Sequence, residues 1–578
     1  MASDKTETVA RRGGRGEDEL VFLALGGLGE VGMNCYLYGL GRSGARRWLM
    51  VDLGITFPEG EFDPGVDVIL PDLKFIETHL KALEGLVITH AHEDHIGAVI
   101  ELWPRLKCPV YATPFTAAFL KAKLAEHGNG LKIPITEIPV GGRFKVGAFD
   151  CEYVSMSHSI PEPSALALRT PHGMLLHTGD WKFDQFPLVG LPADEARIQA
   201  LGQEGVMALI GDSTNAFRDG HSPSELDVAK SLAGIIKGAK RRVLVTSFAS
   251  NVARIRAIAD AARASGRQLV VAGRALHRAI QVAIDTGYLP QGFRWSDQQE
   301  FSYLAPENVL AMVTGSQGEV RAAMARIADN EHPEVSLAPG DMVIFSSRTI
   351  PGNEKSISRI QNKLARMGVD VVTDGDALVH VTGHPRREEL RQMYGWVKPR
   401  IAVPMHGEFR HLKEHARIAR ECGVGEVLTP VNGEVVVLAP GPARIVDEVP
   451  VGRLFRDGRL LVKDDGGAVR ERRKLAFVGL AAISLVMSRK GEILADPEIA
   501  LDGIPYENAS GVSMEDIVFD AVEGCLKGIP PARRRDVDTV REALRRSVRA
   551  AVDHAWGKKP IVKVFLAVVG ASPGGGKG

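Results

Sequence analysis

The chain has 578 residues, five cysteines, and 71 basic against 71 acidic residues. With 45% apolar and 25% charged residues it has the composition of a folded globular protein, which excludes disorder for most of its length. Zero net charge gives no general case for a nucleic-acid binder, although a local basic groove would be enough.

Length alone suggests about three to four domains. The first 18 residues are polar and rich in Gly and Arg, so they are expected to be disordered and to carry no secretory leader. From Glu19 to Leu53 the segments VFLAL, NCYLYGL and RRWLMVDL read as strands separated by Gly-rich turns. LEGLVIT then reads as a buried strand that runs into HAHEDH and a helix. PVYATP and FTAAFLKAKLAEHG repeat strand and helix. CEYVSMSH, ALALRTPHGMLLHTGD and VMALIGDS look like paired strands. This part, 19–222, is expected to be a β-sandwich flanked by helices.

Over 223–395 the texture changes. RRVLVTS, RQLVVAG, NVLAMVTGS, GDMVIFSS and VDVVTD are strands, most of them followed by helix-period segments. That alternation predicts a parallel sheet with helices on its faces. Residues 396–449 return to strand, loop and helix, and 450–473 reads as a polar linker. Residues 474–570 are expected to form a small α/β domain from the strand LAFVGLAAISLVM, a basic helix over 533–549 and the strand PIVKVFLAVV, with 571–578 as a flexible tail. The longest clearly apolar stretch without a charge, Leu475 to Ser488, falls short of the roughly 18–20 residues of a membrane helix. Cysteines 35, 108, 151, 422 and 525 form no CxxC and read as reduced thiols of a cytoplasmic protein.

The sharpest chemical signal is His90-Ala91-His92-Glu93-Asp94-His95, directly after a strand. Imidazole and carboxylate are ligands for zinc and similar metals, and such a group is costly to bury without one. His158, Asp180 and His406 recur at the ends of predicted strands. Seven ligands suffice for two metals if one carboxylate bridges them, and a metal pair can activate water for attack at phosphorus. Gly27-Leu28-Gly29-Glu30-Val31-Gly32 is a literal GxGxxG, but a strand follows it instead of a helix. It is therefore read as a tight hairpin turn and not as a dinucleotide site.

HxHxDH followed by a His, an Asp and a final His resembles the metallo-β-lactamase superfamily. The resemblance implies one zinc on His90, His92 and His158, a second on Asp94, His95 and His406, and Asp180 as the bridge. Asp52 matches the supporting Asp of the family, or is a plain strand-end residue. The 226 residues between Asp180 and His406 are too many for a single-domain hydrolase, and they resemble the insertion of the β-CASP nucleases. Asp212 in GDSTNA, His384 in HVTGH and His406 in PMHGE match that family's motifs A, B and C. Together with GGLGEVGMN, TGSQGE and SSRTIPGNE they look like the ribonuclease J family, with Thr382 where Ser is common.

The implied fold is α/β: a metallo-β-lactamase αββα sandwich, an inserted parallel-sheet β-CASP domain and a small C-terminal α/β domain. The implied activity is a zinc-dependent 5′-to-3′ exoribonuclease preferring 5′-monophosphate ends, with endonuclease activity. It would use two Zn²⁺, with Mn²⁺ or Mg²⁺ as substitutes. Asp94 or Asp180 would orient the nucleophile, and His384, supported by Asp212, would act as general acid or as a phosphate ligand. Ser247, Phe248, Ala249, Ser250 and Asn251, at a strand-to-helix turn suited to anions, would bind substrate with His380, Val381, Thr382, Gly383 and His384. Phe248 would stack a base or fill its loop. The basic helix either contacts RNA or is a solvated face with i,i+4 pairs. Implied partners are single-stranded RNA, further copies in a homodimer or homotetramer through the C-terminal domain, and RNA-decay proteins. A DNA nuclease of the same architecture, a small-molecule metallo-hydrolase and a non-catalytic scaffold are the competing readings. His406, the long insert and the full ligand set argue against them in turn.

Overall fold

The computed structural model describes residues 17–570 except 59, 61, 128, 129, 351 and 465. The expected disorder of the first 18 residues and of the tail falls almost wholly outside the described residues. The chain divides into two compact units, one taking residues up to Phe57 and Val68–Leu454, the other Pro58–Asp67 and everything from Phe455.

In the larger unit the strand Glu19–Gly26 pairs antiparallel with Cys35–Gly41 and with Glu434–Ala439. Among the described residues these belong to an eight-stranded sheet, and a seven-stranded sheet runs from Glu426–Val427 to Arg143–Val146. Side chains alternate across a strand, so Leu20, Phe22 and Ala24 all enter one core. That core also holds Tyr153 and Leu166 of the second sheet, so the two sheets face each other. The far face of the second sheet, with Val154, Leu176 and Ala402, packs against Ile198, Met393 and Ile418 from helices. Each such apolar side chain, fully buried, contributes about 1.5–3 kcal/mol.

The strands Val206–Asp212 and Ile401–Met405 are parallel neighbours, with Asp212 opposite Met405. All the chain between them is spliced in at this point. It contains a six-stranded sheet in the order Ser296–Asp297, Gln268–Ala272, Val309–Val313, Val243–Thr246, Met342–Phe345, Asp370–Val372, every pairing parallel. Its four inner strands are largely buried apolar runs, as a sheet covered on both faces requires. Ser224 caps the helix Glu225–Gly238, and Asn251 caps Val252–Ala264 by accepting from the amide of Arg254. This is the sandwich with a parallel insert that the sequence predicts. In the smaller unit Leu480–Ser488 lies between Glu498–Asp502 and Ile561–Val569, and the helices Met514–Gly528 and Val537–Trp556 supply Val518, Val522, Leu544 and Val548 to one core.

Four local expectations are corrected. The glycines of 27–32 do not make a tight hairpin turn. Gly26 pairs with Cys35, and the wide loop between them places Leu28–Gly29 parallel to Gly407–Glu408. Gly27 has φ +91°, and a Cβ there would lie 2.4 Å from the Tyr36 hydroxyl. The stretch 450–473 is not bare linker, since it carries the strands Arg453–Asp457 and Leu460–Lys463 and the start of the helix Gly467–Val478. Leu475 to Val478 end that helix instead of opening a strand, because Gly479 (φ +66°) stops it. The basic segment is broken at Asp536, whose carboxylate accepts from the amides of Asp538 and Thr539 and starts the helix Val537–Trp556 there. On that helix Arg545 and Arg546 pair with Glu542, and Arg541 with Asp538, as on a solvated face.

Candidate metal centre

The loop His90–His95 follows the strand Leu83–Val87 and is held from below by Asp52. The Asp52 carboxylate is fully buried and sits on a left-handed backbone, φ +61°. It accepts from the Thr89 amide and hydroxyl, both at 2.8 Å, and from His95 Nδ1 at 2.7 Å. Thr89 Oγ1, having given its proton to Asp52, accepts from His90 Nδ1 at 3.0 Å.

Three further imidazoles come from distant parts of the chain. His158 donates from Nδ1 to the Gly383 carbonyl at 2.6 Å, and a Cβ on Gly383 would lie 2.2 Å from that nitrogen. His406, at φ +51°, donates from Nδ1 to Asn34 Oδ1 at 2.9 Å. His384 donates from Nδ1 to Asp212 Oδ2 at 2.8 Å. In His90, His95, His158 and His406 a proton therefore sits on Nδ1, which turns Nε2 into the site. These Nε2 atoms converge on one carboxylate. Asp180 Oδ2 is 3.3 Å from Nε2 of both His95 and His406, 3.7 Å from that of His158 and 3.8 Å from that of His90. His92 is turned the other way, with Nδ1 3.1 Å from His90 Nε2 and 3.0 Å from His158 Nε2.

Ligand atoms of His90, His92, His158 and Asp180 lie within 4.8 Å of one another, as do those of Asp94, His95, Asp180 and His406. Asp180 is common to both groups. The arrangement fits divalent cations on its own chemistry. Asp180 Oδ1 and His406 Nε2 are buried with no hydrogen-bond partner, and His92 Nδ1 can give a proton to only one of the two imidazole nitrogens about 3 Å from it. Nitrogen and carboxylate oxygen are the donors that borderline metals take.

The electrostatics point the same way. Burial, and then the neighbouring imidazoles, push His90 and His92 well below the ordinary imidazole range, and burial pushes His158 down to about 3. Burial opposes charge on His95 and His406 too, but Asp180 outweighs it and holds both above that range. Burial likewise opposes ionisation of Asp180, but His406 and then His95 beside it outweigh burial and hold the carboxyl well below its usual range.

His384 lies beside this cluster, its Nδ1 3.8 Å from Asp180 Oδ2. Burial lowers its pKa, but Asp212 and then Asp180 raise it to about 9. Its carbonyl accepts from Asn215 Nδ2 and Ser222 Oγ. In the same segment Thr382 Oγ1 accepts from Asn215 Nδ2 at 2.6 Å and from the His384 amide, Val381 is buried, and His380 Nδ1 is buried without a partner. Ser247 to Asn251 follow the strand Val243–Thr246. Ser247 is buried with its hydroxyl unpartnered, while Phe248, Ala249 and Ser250 are half-buried. Arg254 joins the two segments. Its backbone amide bonds Asn251, and its guanidinium donates to Ser346 and to the Val379 carbonyl.

Asn34, Tyr36 and Thr89 are not singled out by the sequence, and Gly383, expected in the substrate segment, also supports His158 through its carbonyl. Asn34 opens the segment NCYLYGL, which reads as an ordinary strand beside the glycine turn. The usable signal was a buried-type polar residue between two strands, GMNCY, with no turn to make.

Four protein families match the chain: "Metallo-beta-lactamase superfamily" over 28–198, "Ribonuclease J, beta-CASP domain" over 240–364, "Zn-dependent metallo-hydrolase RNA specificity domain" over 352–430 and "Ribonuclease J C-terminal domain" over 467–569. Among curated proteins, Ribonuclease J of Sinorhizobium meliloti is 49% identical over 553 residues, 96% of this chain and 98% of that one. Ribonuclease J of Corynebacterium glutamicum is 38% identical over 93% of this chain and 74% of its own length. Ribonuclease J 1 of Streptococcus pyogenes is 36% identical over 94% and 97%.

Proposed function

The chain belongs to the ribonuclease J family and is a metal-dependent hydrolase acting on RNA; from that premise we propose that it degrades and matures RNA as a 5′-to-3′ exonuclease preferring 5′-monophosphate ends, with endonuclease activity, on two zinc ions. The observation that carries this reading is the pair of ligand groups sharing Asp180, with the His384–Asp212 pair beside them.

His90, His92 and His158 would hold one ion, Asp94, His95 and His406 the other, and Asp180 would touch both. Zn²⁺, Mn²⁺ or Mg²⁺ in these places supplies an activated water and neutralises charge developing at phosphorus. Asp94, more open to solvent than Asp180, orients the nucleophile and takes its proton. His384, kept protonated at neutral pH by Asp212 and Asp180, would donate its own Nε2 proton to the leaving oxygen, while Asp212 holds the ring. The partnerless groups Ser247 Oγ and His380 Nδ1, with the amides of 247–251 and 380–384, suit a phosphate monoester. A pocket there that accepts a monophosphate but clashes with a triphosphate would give the 5′-end preference. Five unpaired cysteines fit a cytoplasmic enzyme. The strand Ile561–Val569 lies at the edge of its sheet with Phe565 and Val569 exposed, which suits a homodimer or homotetramer.

One RNA prepared with a 5′ monophosphate or a 5′ triphosphate, with Asp180→Asn as the comparison enzyme, tests this. The expected result is mononucleotides released mainly from the monophosphate, and lost in the variant and on chelation. Equal decay of both ends would remove the 5′-end preference, and internal cuts indifferent to the end would make the endonuclease mode primary.

A further inference from the structure

The two halves of the centre have different supports. His90 is held through Thr89 and Asp52, and His158 through Gly383. In the other half His95 leans on Asp52, but Asp94 and His406 both lean on Asn34. Asn34 is fully buried, 60 residues from Asp94 and 372 from His406. Its Nδ2 donates to the Asp94 carbonyl at 3.0 Å and faces the Asp94 carboxylate at 3.4 Å. Its Oδ1 accepts from His406 Nδ1 at 2.9 Å and from the Tyr36 hydroxyl at 2.8 Å. Two donors on one oxygen fix which way the amide faces. That orientation in turn fixes a proton on His406 Nδ1 and turns Nε2 towards Asp180.

We infer that Asn34 is the positioning residue for the Asp94–His95–His406 half of the centre, and that losing its side chain separates the two ions: the His90–His92–His158 ion stays and the other is lost. This rests on the ligand reading proposed above. The hydrogen bonds explain the selectivity, because among the described residues no bond joins Asn34 to His90, His92 or His158. Polar groups that orient ligands in this way typically change metal affinity by about 10–100-fold. The backbone geometry agrees. His406 has a left-handed φ, which a β-carbon resists, so its side chain needs an external anchor to hold its direction.

The test is metal content and metal affinity of the full-length protein, by elemental analysis and by zinc titration against a competing chelator. Wild type is expected to hold two ions per chain. Asn34→Ala should hold one at the same affinity and bind the second about 10–100-fold more weakly. Asn34→Asp keeps an oxygen for His406 Nδ1 and Tyr36, and should recover most of the second ion. Two ions of unchanged affinity in Asn34→Ala would overturn the inference, and so would equal weakening of both ions in that variant, which would mark Asn34 as packing alone. Fewer than two ions in the wild type would instead overturn the two-metal reading beneath it.

Discussion

At the scale of single residues, the centre is built from protons placed on chosen nitrogens. The acceptors that do this are Asp52 through Thr89, Gly383, Asn34 and Asp212. His384 gives the most direct prediction. Its pKa in the fold, about 9, lies above the ordinary imidazole value near 6.5. The proton is therefore held more tightly in the native state. The stability it contributes is complete below about pH 6.5 and disappears as pH rises through about 9. In the proposed acid role, kcat should fall on the alkaline side with a limb near pH 9. His384→Ala should lose that limb and about 10²–10⁴-fold in kcat with unchanged metal content. Steady-state rates across pH 6–10 check it, and an alanine variant at full speed would leave His384 only a phosphate ligand. Residue type and spacing made His90 to His95, His158, Asp180 and His406 stand out in the sequence, and the fold brings them together. Asn34 was hidden because its partners lie 60 and 372 residues away and it reads as the first residue of an ordinary strand.

At the scale of elements, two helices of the insert are tied together by a buried ion pair. Glu225 opens the helix Glu225–Gly238, and Arg254 lies in the first turn of Val252–Ala264. Both are buried, 3.1 Å apart, and Arg254 also reaches Ser346 and Val379. Removing one partner of such a pair strands the other charge away from water. Glu225→Ala should therefore cost about 3–5 kcal/mol, read as a shift of the urea midpoint, and should loosen the substrate segment that Val379 precedes. A shift below about 1 kcal/mol would mean that water reaches the guanidinium. The helices and parallel strands of the insert were legible because their periods are regular. The boundaries that misled are set by single residues. Gly479 ends a helix whose apolar last turn reads like a strand, and Asp536 caps a helix inside an arginine run that looks continuous.

At the scale of the whole molecule, the division into two units does not follow the chain. Residues Pro58–Asp67 belong with the C-terminal unit. There Arg473 bonds Asp63 and the Phe62 carbonyl, Arg472 bonds the Pro64 carbonyl, and Asp67 accepts from the Gly458 amide. Nothing in the local sequence announces this, because the partners are about 400 residues away. A variant ending at Leu454 should still fold its sandwich and insert, whose cores draw only on the larger unit. It should, however, become sensitive to protease within 58–67. Limited proteolysis with mass spectrometry reads this directly, and an uncut segment would show that the larger unit orders it unaided.

The splice between Val206–Asp212 and Ile401–Met405 also sets when the enzyme comes into being. A ribosome adding about 5–20 residues per second reaches the codon for His406 roughly 20–80 s after initiation. Until then the nascent chain carries the His90–His95 loop without the last residue of its centre. A nuclease ordered in this way is translated through most of its own messenger before it is able to cut one.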